Sequence, residues 1–267
     1  MNQQPAVSCI CLTYGRPHVL EEAIYSFLRQ DYGGRKELII LNDYVEQTLR
    51  FDHPEVRVIN LPVRFRTVGE KRNAAIALAK HDLLFVWDDD DIYLSHRLRF
   101  SVANFDLQKG YFKANLGWYL DNDRLRGPEA NLFHANGCWL RSRFDAVRGY
   151  DSEGSGHDWL FEKRMTQRFP CTLMCHPEFI DQALDTQSLL QWIQVLPLDI
   201  FDQRHRQCRF IGYGANQSRH LGKSGQLGCT PSSFAGNDFV LTVTNRAHQY
   251  RLHDTLRLDR FCEFGQG

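Results

Sequence analysis

Four aspartates in a row, Asp88 to Asp91, follow directly on the apolar run Leu83 to Trp87. Carboxylates a few ångströms apart repel and raise one another's affinity for protons, so the cluster is costly unless positive charge sits among them. Oxygen-only ligands at a site open to substrate suit Mg²⁺ or Mn²⁺, which take one or two protein carboxylates and complete their shell with phosphate oxygens and water. The alternative is that some of these aspartates cap a helix beginning within Ile92 to Phe100, where an acidic residue is favoured. Capping accounts for one or two of the four and leaves the rest unexplained, so the residue types favour phosphate chemistry assisted by a divalent cation.

The elements that position this cluster are legible over the first hundred residues. Val7 to Leu12 is a short apolar run, and Pro17 opens a segment in which Val19, Leu20, Ala23, Ile24, Phe27 and Leu28 recur at helical spacing. Glu37 to Leu41 and Val56 to Leu61 are further apolar runs, Gly69 to Lys80 is an Ala-rich helix, and Leu83 to Trp87 is a fourth strand. Alternating strands and helices predict a mostly parallel sheet covered on both faces, a three-layer α/β/α arrangement, whose ligands sit at the carboxyl ends of the strands. The polar residues cluster at those ends: Thr13, Tyr14 and Arg16 after the first strand, Asn42 and Asp43 after the second, and the aspartates after the fourth.

Beyond residue 100 the pattern loosens. Ser101 to Gln108 reads as the continuation of a helix, Asp121 to Pro128 as polar and turn-like, Asp158 to Arg168 as a helix, Gly212 to Ser233 as loop and Phe239 to Thr244 as a strand. This divides the chain into a body over 1–200, with halves at 1–100 and 101–200, and an irregular extension over 201–267 packing on the same domain.

The ordered motifs resemble those of the family 2 glycosyltransferases of the GT-A, Rossmann-like fold. Residues 7–17, VSCICLTYGRP, are similar to that family's opening strand and threonine-tyrosine turn, and LIILND at 38–43 to its second strand with the acidic residue that faces the nucleotide base. Residues 69–91 resemble the stretch leading into the metal-binding DxD motif, including Arg72 and Asn73. Residues 137–159 resemble the acceptor-side region that ends in a glutamate-aspartate motif. The likeness covers residues 5–180, about two thirds of the chain.

The resemblance implies sugar transfer from a nucleotide-diphosphate donor, most simply a UDP-sugar, to an acceptor hydroxyl with inversion, supported by Mn²⁺ or Mg²⁺ acting as a Lewis acid on the leaving diphosphate. By the same carry-over Thr13, Tyr14, Arg16, Asp43, Arg72 and Asn73 line the donor. Asp43 would accept from an imide N–H such as uracil offers. Asp88 and Asp90 match the outer positions of the DxD motif and Asp91 the next acid; the carry-over sets Asp88 and Asp89 at the diphosphate and Asp90 and Asp91 at the metal, in a register open by one residue. Asp158 would be the general base, with His157 where the family carries glutamate; Asp151 matches a position with a structural role. RHLGKSG at 219–225 is similar to a loop that closes over the diphosphate, which puts His220 at the metal and Arg219 or Lys223 at the phosphates. Taken singly, Thr13 reads equally as a turn residue, Arg72 as a surface ion pair and Lys223 as a solvated loop.

Rival readings are a catalytically altered nucleotide-sugar-binding module, which the His157 departure favours, a sugar nucleotidyltransferase and a metal-dependent phosphatase. The nucleotidyltransferase would need a Gly-rich turn after the first strand, where only Gly15 is present. The phosphatase would need a DxDx[TV] arrangement there. The acceptor stays open among saccharide, lipid-linked glycan, protein and modified nucleic acid.

Composition agrees with a soluble enzyme. The 267 residues carry 32 basic and 32 acidic side chains, which argues against a broad nucleic-acid footprint. Residues 1–200 hold 23 basic and 27 acidic groups and 201–267 hold 9 and 5, so an acidic body adjoins a basic tail. No apolar run is long enough to span a membrane and no leader is evident, which points to the cytoplasm. The eight cysteines read as reduced, and Cys171, Cys175 and His176 lack the second ligand pair a zinc site needs.

Overall fold

The computed structural model describes residues 4–93, 95–114, 116–121, 124–130, 134–152, 156–170, 172–174, 209–212, 240–245 and 254–257. The first half runs β1 (Val7–Thr13), α1 (Pro17–Leu28), β2 (Lys36–Asn42), β3 (Gln47–Phe51), β4 (Val56–Asn60), α2 (Val68–Ala77), β5 (Leu83–Val86), β6 (Ile92–Tyr93) and α3 (Arg97–Ala103). There follow β7 (Tyr111–Ala114), β8 (Leu116–Asp121), β9 (Arg124–Ala130), a 3₁₀ turn (His134–Asn136), β10 (Gly137–Leu140), α4 (Arg141–Ala146) and α5 (His157–Arg168). Last come β11 (Thr172–Met174), β12 (Arg209–Gly212), β13 (Val240–Asn245) and β14 (Asp254–Arg257).

Seven strands form the main sheet in the order β11-β7-β10-β5-β1-β2-β4. All neighbours are parallel except β10, which runs antiparallel to both β5 and β7. Its strands alternate apolar side chains between two buried layers. Cys9, Cys11, Leu38, Ile40 and Phe85 pack with Leu20, Ala23, Ile24 and Phe27 of α1, while Ile10, Ile39, Leu84 and Val86 pack with Ala75 and Ile76 of α2 and Phe161 and Met165 of α5. Both faces are therefore covered, as the strand-helix alternation predicts. β1 lies between β2 and β5, so the chain order reverses there, and the segments leaving β1 and β5 meet at the crevice where such sheets bind ligands.

Local signals account for the flanking helices. Pro17 occupies the first turn of α1, where its missing N–H costs nothing. Thr67 caps α2 through Oγ1, accepting from the Glu70 N–H at 3.1 Å. α2 then packs so closely on the turn after α4 that a Cβ on Gly69 would stand 2.0 Å from the carbonyl oxygen of Asp151.

Three expectations need correction. Ile92 and Tyr93 form the short strand β6, and α3 starts only at Arg97, so the aspartates do not cap it. α3 also ends before Gln108: Asn104 turns its side chain onto the Phe100 carbonyl at 2.8 Å, and Asp106 accepts from the N–H groups of Gln108 and Lys109 at 2.9 and 3.3 Å. Such short polar side chains offer the backbone an alternative to the helix. Of the stretch expected as a turn, Asp121 ends β8 and residues 124–128 lie in β9, its antiparallel partner; β9 is an edge strand of the sheet β6-β12-β8-β9, a position where Pro128 is tolerated.

Within the extension, β13 pairs with β3 and β14, and β12 pairs with β8 and with β6, immediately after the aspartates. The predicted loop over 212–233 lies, apart from Gly212, outside the described residues, as do Cys171, Cys175 and His176. Cys9, Cys11 and Cys138 are buried free thiols. Among the described residues no helix is long and apolar enough to cross a membrane.

The contact at Gly69 generates a prediction. Gly69→Ala forces backbone apart at the point that seats α2 under the site, so thermal unfolding should show a loss of about 1–3 kcal/mol, the usual size for overpacking. An unchanged Tm would mean that the two segments separate freely.

Candidate active site

The turn after β1 is built around Gly15, whose φ of +68° is a left-handed conformation that disfavours a side chain. Its neighbour Tyr14 lies 4.9 Å from the ring of Tyr44 and carries the guanidinium of Arg64 4.2 Å over its face, leaving an exposed aromatic surface at the mouth of the crevice. Asp43, just beyond β2, is buried; its Oδ2 accepts from the Phe65 N–H at 3.0 Å and its Oδ1 from the ammonium of Lys71. Lys71 also donates to the Thr13 carbonyl at 2.6 Å, tying the ends of β1 and β2 to α2.

The four aspartates turn back at the end of β5. The Trp87 N–H still pairs with Ile10 of β1 at 2.9 Å, and the Asp88 N–H donates to the Tyr93 hydroxyl at 2.9 Å. Asp88, Asp89 and Asp91 are buried, and Asp90 is the most open of the four. Arg16 spans two of them, pairing with Asp89 and, at 2.8 Å, with Asp90; Arg72 pairs with Asp88 at 3.2 Å. These guanidiniums do not offset the cost of burial. Desolvation raises Asp89 to about 7, with Asp90 and Asp88 adding to the rise against Arg16, and burial raises Asp88 and Asp91 as well. Carboxyls pushed upward in this way mark a site short of positive charge.

That shortage fits a divalent cation. Among the described residues no three His, Cys, Asp or Glu side chains converge into a closed metal cage. The arrangement suits an ion such as Mg²⁺ or Mn²⁺ that shares one or two carboxylates with phosphate oxygens.

Across the crevice Asp158 sits in the first turn of α5, where the helix dipole favours a carboxylate. Its Oδ1 lies 3.4 Å from Arg72 Nη1, 3.0 Å from His157 Nε2 and 3.7 Å from His134 Nε2. Burial alone would raise its pKa; Arg72, His134 and His157 together reverse this and hold it well below the usual carboxylate range. Arg72 is thus a fully buried cation joining Asp88 to Asp158, with the Tyr150 ring 5.3 Å away.

The structure brings together Thr13, Arg16, Arg72, Asp88, Asp89, Asp90, Asp91, His157 and Asp158 of the residues expected from sequence; Tyr14 stands at the mouth. Asp43 engages Lys71 and the Phe65 backbone. Asn73 spends both ends of its amide on Tyr150, donating to the carbonyl and accepting from the N–H, each at 2.9 Å, which locks α2 to the segment before α5. Asp151 pairs with Arg164. Arg219, His220 and Lys223 lie outside the described residues.

Three participants escaped the sequence reading: Lys71, His134 and Glu162. Lys71 carried a usable signal. The buried face of α2 includes Ala75 and Ile76 and, four residues earlier, Lys71 and Arg72, so an apolar stripe runs into two cations at the end nearest the site.

A family model described as Glycosyl transferase family 2 matches residues 8–168. Among solved structures, that of S. aureus TarS residues 1–349 is similar with a TM-score of 0.52 at 15% identity, covering 75% of this chain and 68% of that one. The same protein in complex with UDP gives 0.51 at 15% identity, over 75% and 68%, and in complex with UDP-GlcNAc 0.50 at 14%, over 75% and 69%. These likenesses establish a shared GT-A fold. No curated protein matches the chain.

The raised pKa of Asp89 sets a pH dependence. An acid whose folded-state pKa lies above its unfolded value, near 3.9, keeps its proton longer in the native state, so stability falls as pH climbs from about 4 through about 7. Asp89→Asn keeps the shape without the charge. In metal-free protein at pH 8 its Tm should exceed that of the parent by a few degrees, and the gap should narrow as the pH falls and close near pH 4. A lower Tm at pH 8 would show that the pair with Arg16 outweighs the repulsion.

Proposed function

The chain belongs to glycosyl transferase family 2, and on that footing we propose that it moves a sugar from a nucleotide-diphosphate donor to an acceptor hydroxyl with inversion. The observation that carries this reading is the Arg72 bridge, which sets an acidic, cation-deficient cluster suited to a leaving diphosphate within one side chain of an ionised, partly open carboxylate. UDP-sugars are the donors to examine first, since UDP and UDP-GlcNAc occupy the similar TarS structures.

On this reading the turn at Thr13 to Arg16 and the aromatic surface of Tyr14 receive the nucleoside, with Asp43 anchoring the floor through Lys71. Asp90 and Asp91, beside Asp88 and Asp89, would hold Mn²⁺ or Mg²⁺, which would supply Lewis-acid stabilisation of the departing diphosphate. Arg16 and Arg72 add charge-assisted donors for phosphate oxygens.

The acceptor oxygen attacks the anomeric carbon from the face opposite the departing diphosphate, and Asp158 takes its proton. A carboxylate held as low as Asp158 is a weak base toward a resting hydroxyl. It suffices here because the hydroxyl becomes strongly acidic once its oxygen has begun to bond to carbon, and the low pKa keeps the acceptor form of the carboxylate fully populated. His157, in place of the family's glutamate, contacts Asp158 at 3.0 Å and supports its ionised state.

Thermal shift with UDP, GDP and CDP, each with and without Mn²⁺, tests the donor site, because a ligand of the native state raises Tm by mass action. One nucleotide should stabilise strongly and only with the metal; no response to any of them would sink the reading. Asp158→Asn should keep that response and lose about 10²–10⁴-fold in turnover, the usual contribution of a general base. Retained turnover would remove Asp158 from the role and favour a module that binds sugar nucleotides by other means.

A further inference from the structure

Behind Asp158 lies a buried chain of polar side chains that the reaction described above does not use. Glu162 follows Asp158 by four residues on α5, so both carboxylates lie on one side of the helix. Its Oε2 accepts from the Tyr111 hydroxyl at 2.5 Å and the Lys113 ammonium at 2.8 Å, both on β7. Its Oε1 is 3.0 Å from Nδ1 of His134, in the 3₁₀ turn before β10. The other ring nitrogen, Nε2, faces the Tyr150 hydroxyl at 2.5 Å and Asp158 Oδ1 at 3.7 Å.

The imidazole has little freedom. Tyr150 and Phe161 meet it edge-on at 5.4 and 5.6 Å between ring centres, and Trp139 lies against it at 5.5 Å. Burial opposes ionisation of Glu162, but His134 and Lys113 outweigh it and hold the pKa low. An ionised carboxylate only accepts, so His134 carries a proton on Nδ1; its Nε2 hydrogen-bonds the Tyr150 hydroxyl and stands at ion-pair distance from Asp158 Oδ1.

We infer that His134, oriented by Glu162, is a positioning residue for Asp158: its protonated ring, with Arg72 and His157, faces the Oδ1 side of the carboxylate at ion-pair distance and leaves the second oxygen to the acceptor hydroxyl. This rests on Asp158 being the base. The arrangement is a carboxylate, an imidazole and a carboxylate in series, with the outer carboxylate rather than the ring meeting the substrate. Anchoring α5 to the sheet does not by itself require the histidine, because the Lys113–Glu162 pair already ties that helix to β7.

The test measures UDP or GDP release with water as acceptor from UDP-GlcNAc, UDP-glucose, UDP-galactose and GDP-mannose, in the full chain with Mn²⁺. His134→Asn keeps a donor where Nδ1 stands and deletes Nε2, whereas His134→Gln returns a polar end near Nε2. The expected result is a fall of at least tenfold in kcat for His134→Asn with donor KM within twofold of the parent, and recovery of most of that loss in His134→Gln. Undiminished kcat in His134→Asn, equal loss in both variants, or a loss confined to KM would overturn the inference. Should His134→Asn fail to fold, Glu162→Gln decides it by the same split between kcat and KM. Turnover lost in Asp158→Asn but kept in His134→Asn strikes only this inference. A silent parent chain, or one in which Asp158→Asn retains full turnover, strikes the assignment of the base and this inference with it.

Discussion

Consecutive carboxylates at the carboxyl end of a buried parallel strand repel one another in a medium that screens them poorly, and the surrounding structure is arranged to relieve that repulsion in part. Arg16 reaches in from the turn after β1 and the buried Arg72 from α2, and each pairs with aspartates of the cluster. Even so, burial raises Asp88, Asp89 and Asp91. A fold selected only for stability would replace such a cluster with apolar side chains, since buried charge is seldom a net gain. Retaining it makes sense when a cation and a polyanion arrive together and complete the neutralisation.

The short stretch of α2 from Gly69 to Asn73 does most of the positioning. Gly69 lets the helix touch the backbone at Asp151, Lys71 ties the ends of β1 and β2, Arg72 joins the aspartates to Asp158, and Asn73 clips the Tyr150 backbone. The helix thereby fixes the distance between the two halves of the site, which matters because misplacement of reacting groups by about 1 Å can cost about 10²-fold in rate. On the other side His134, itself in contact with Glu162, stands 3.7 Å from Asp158, so the carboxylate proposed as base faces Arg72 of α2, His134 of the 3₁₀ turn and His157 of its own helix.

The alternating elements of the first hundred residues were legible because most strands are compact apolar runs, α1 opens on Pro17 and α2 shows as an alanine-rich run from Gly69. Where short polar side chains compete for backbone hydrogen bonds, as at Asn104 and Asp106, hydrophobic pattern alone overran the helix. The β8-β9 hairpin was missed because its second strand lies at an edge, where composition is permissive. At the site, residues at strand ends stood out, while His134 and Glu162 did not: a lone histidine and a helical glutamate acquire meaning only when the antiparallel β10 and α5 bring them together. Asn73, singled out as a motif residue, makes its contacts here with the Tyr150 backbone.

The central claim is that the aspartate cluster binds its cation as part of a complex with a nucleoside diphosphate. Titration of Mn²⁺ followed by electron paramagnetic resonance, with and without saturating UDP, measures this directly. The account predicts weak binding of Mn²⁺ alone and at least a tenfold tighter affinity with UDP present. The same affinity in both titrations, or none in either, would contradict it.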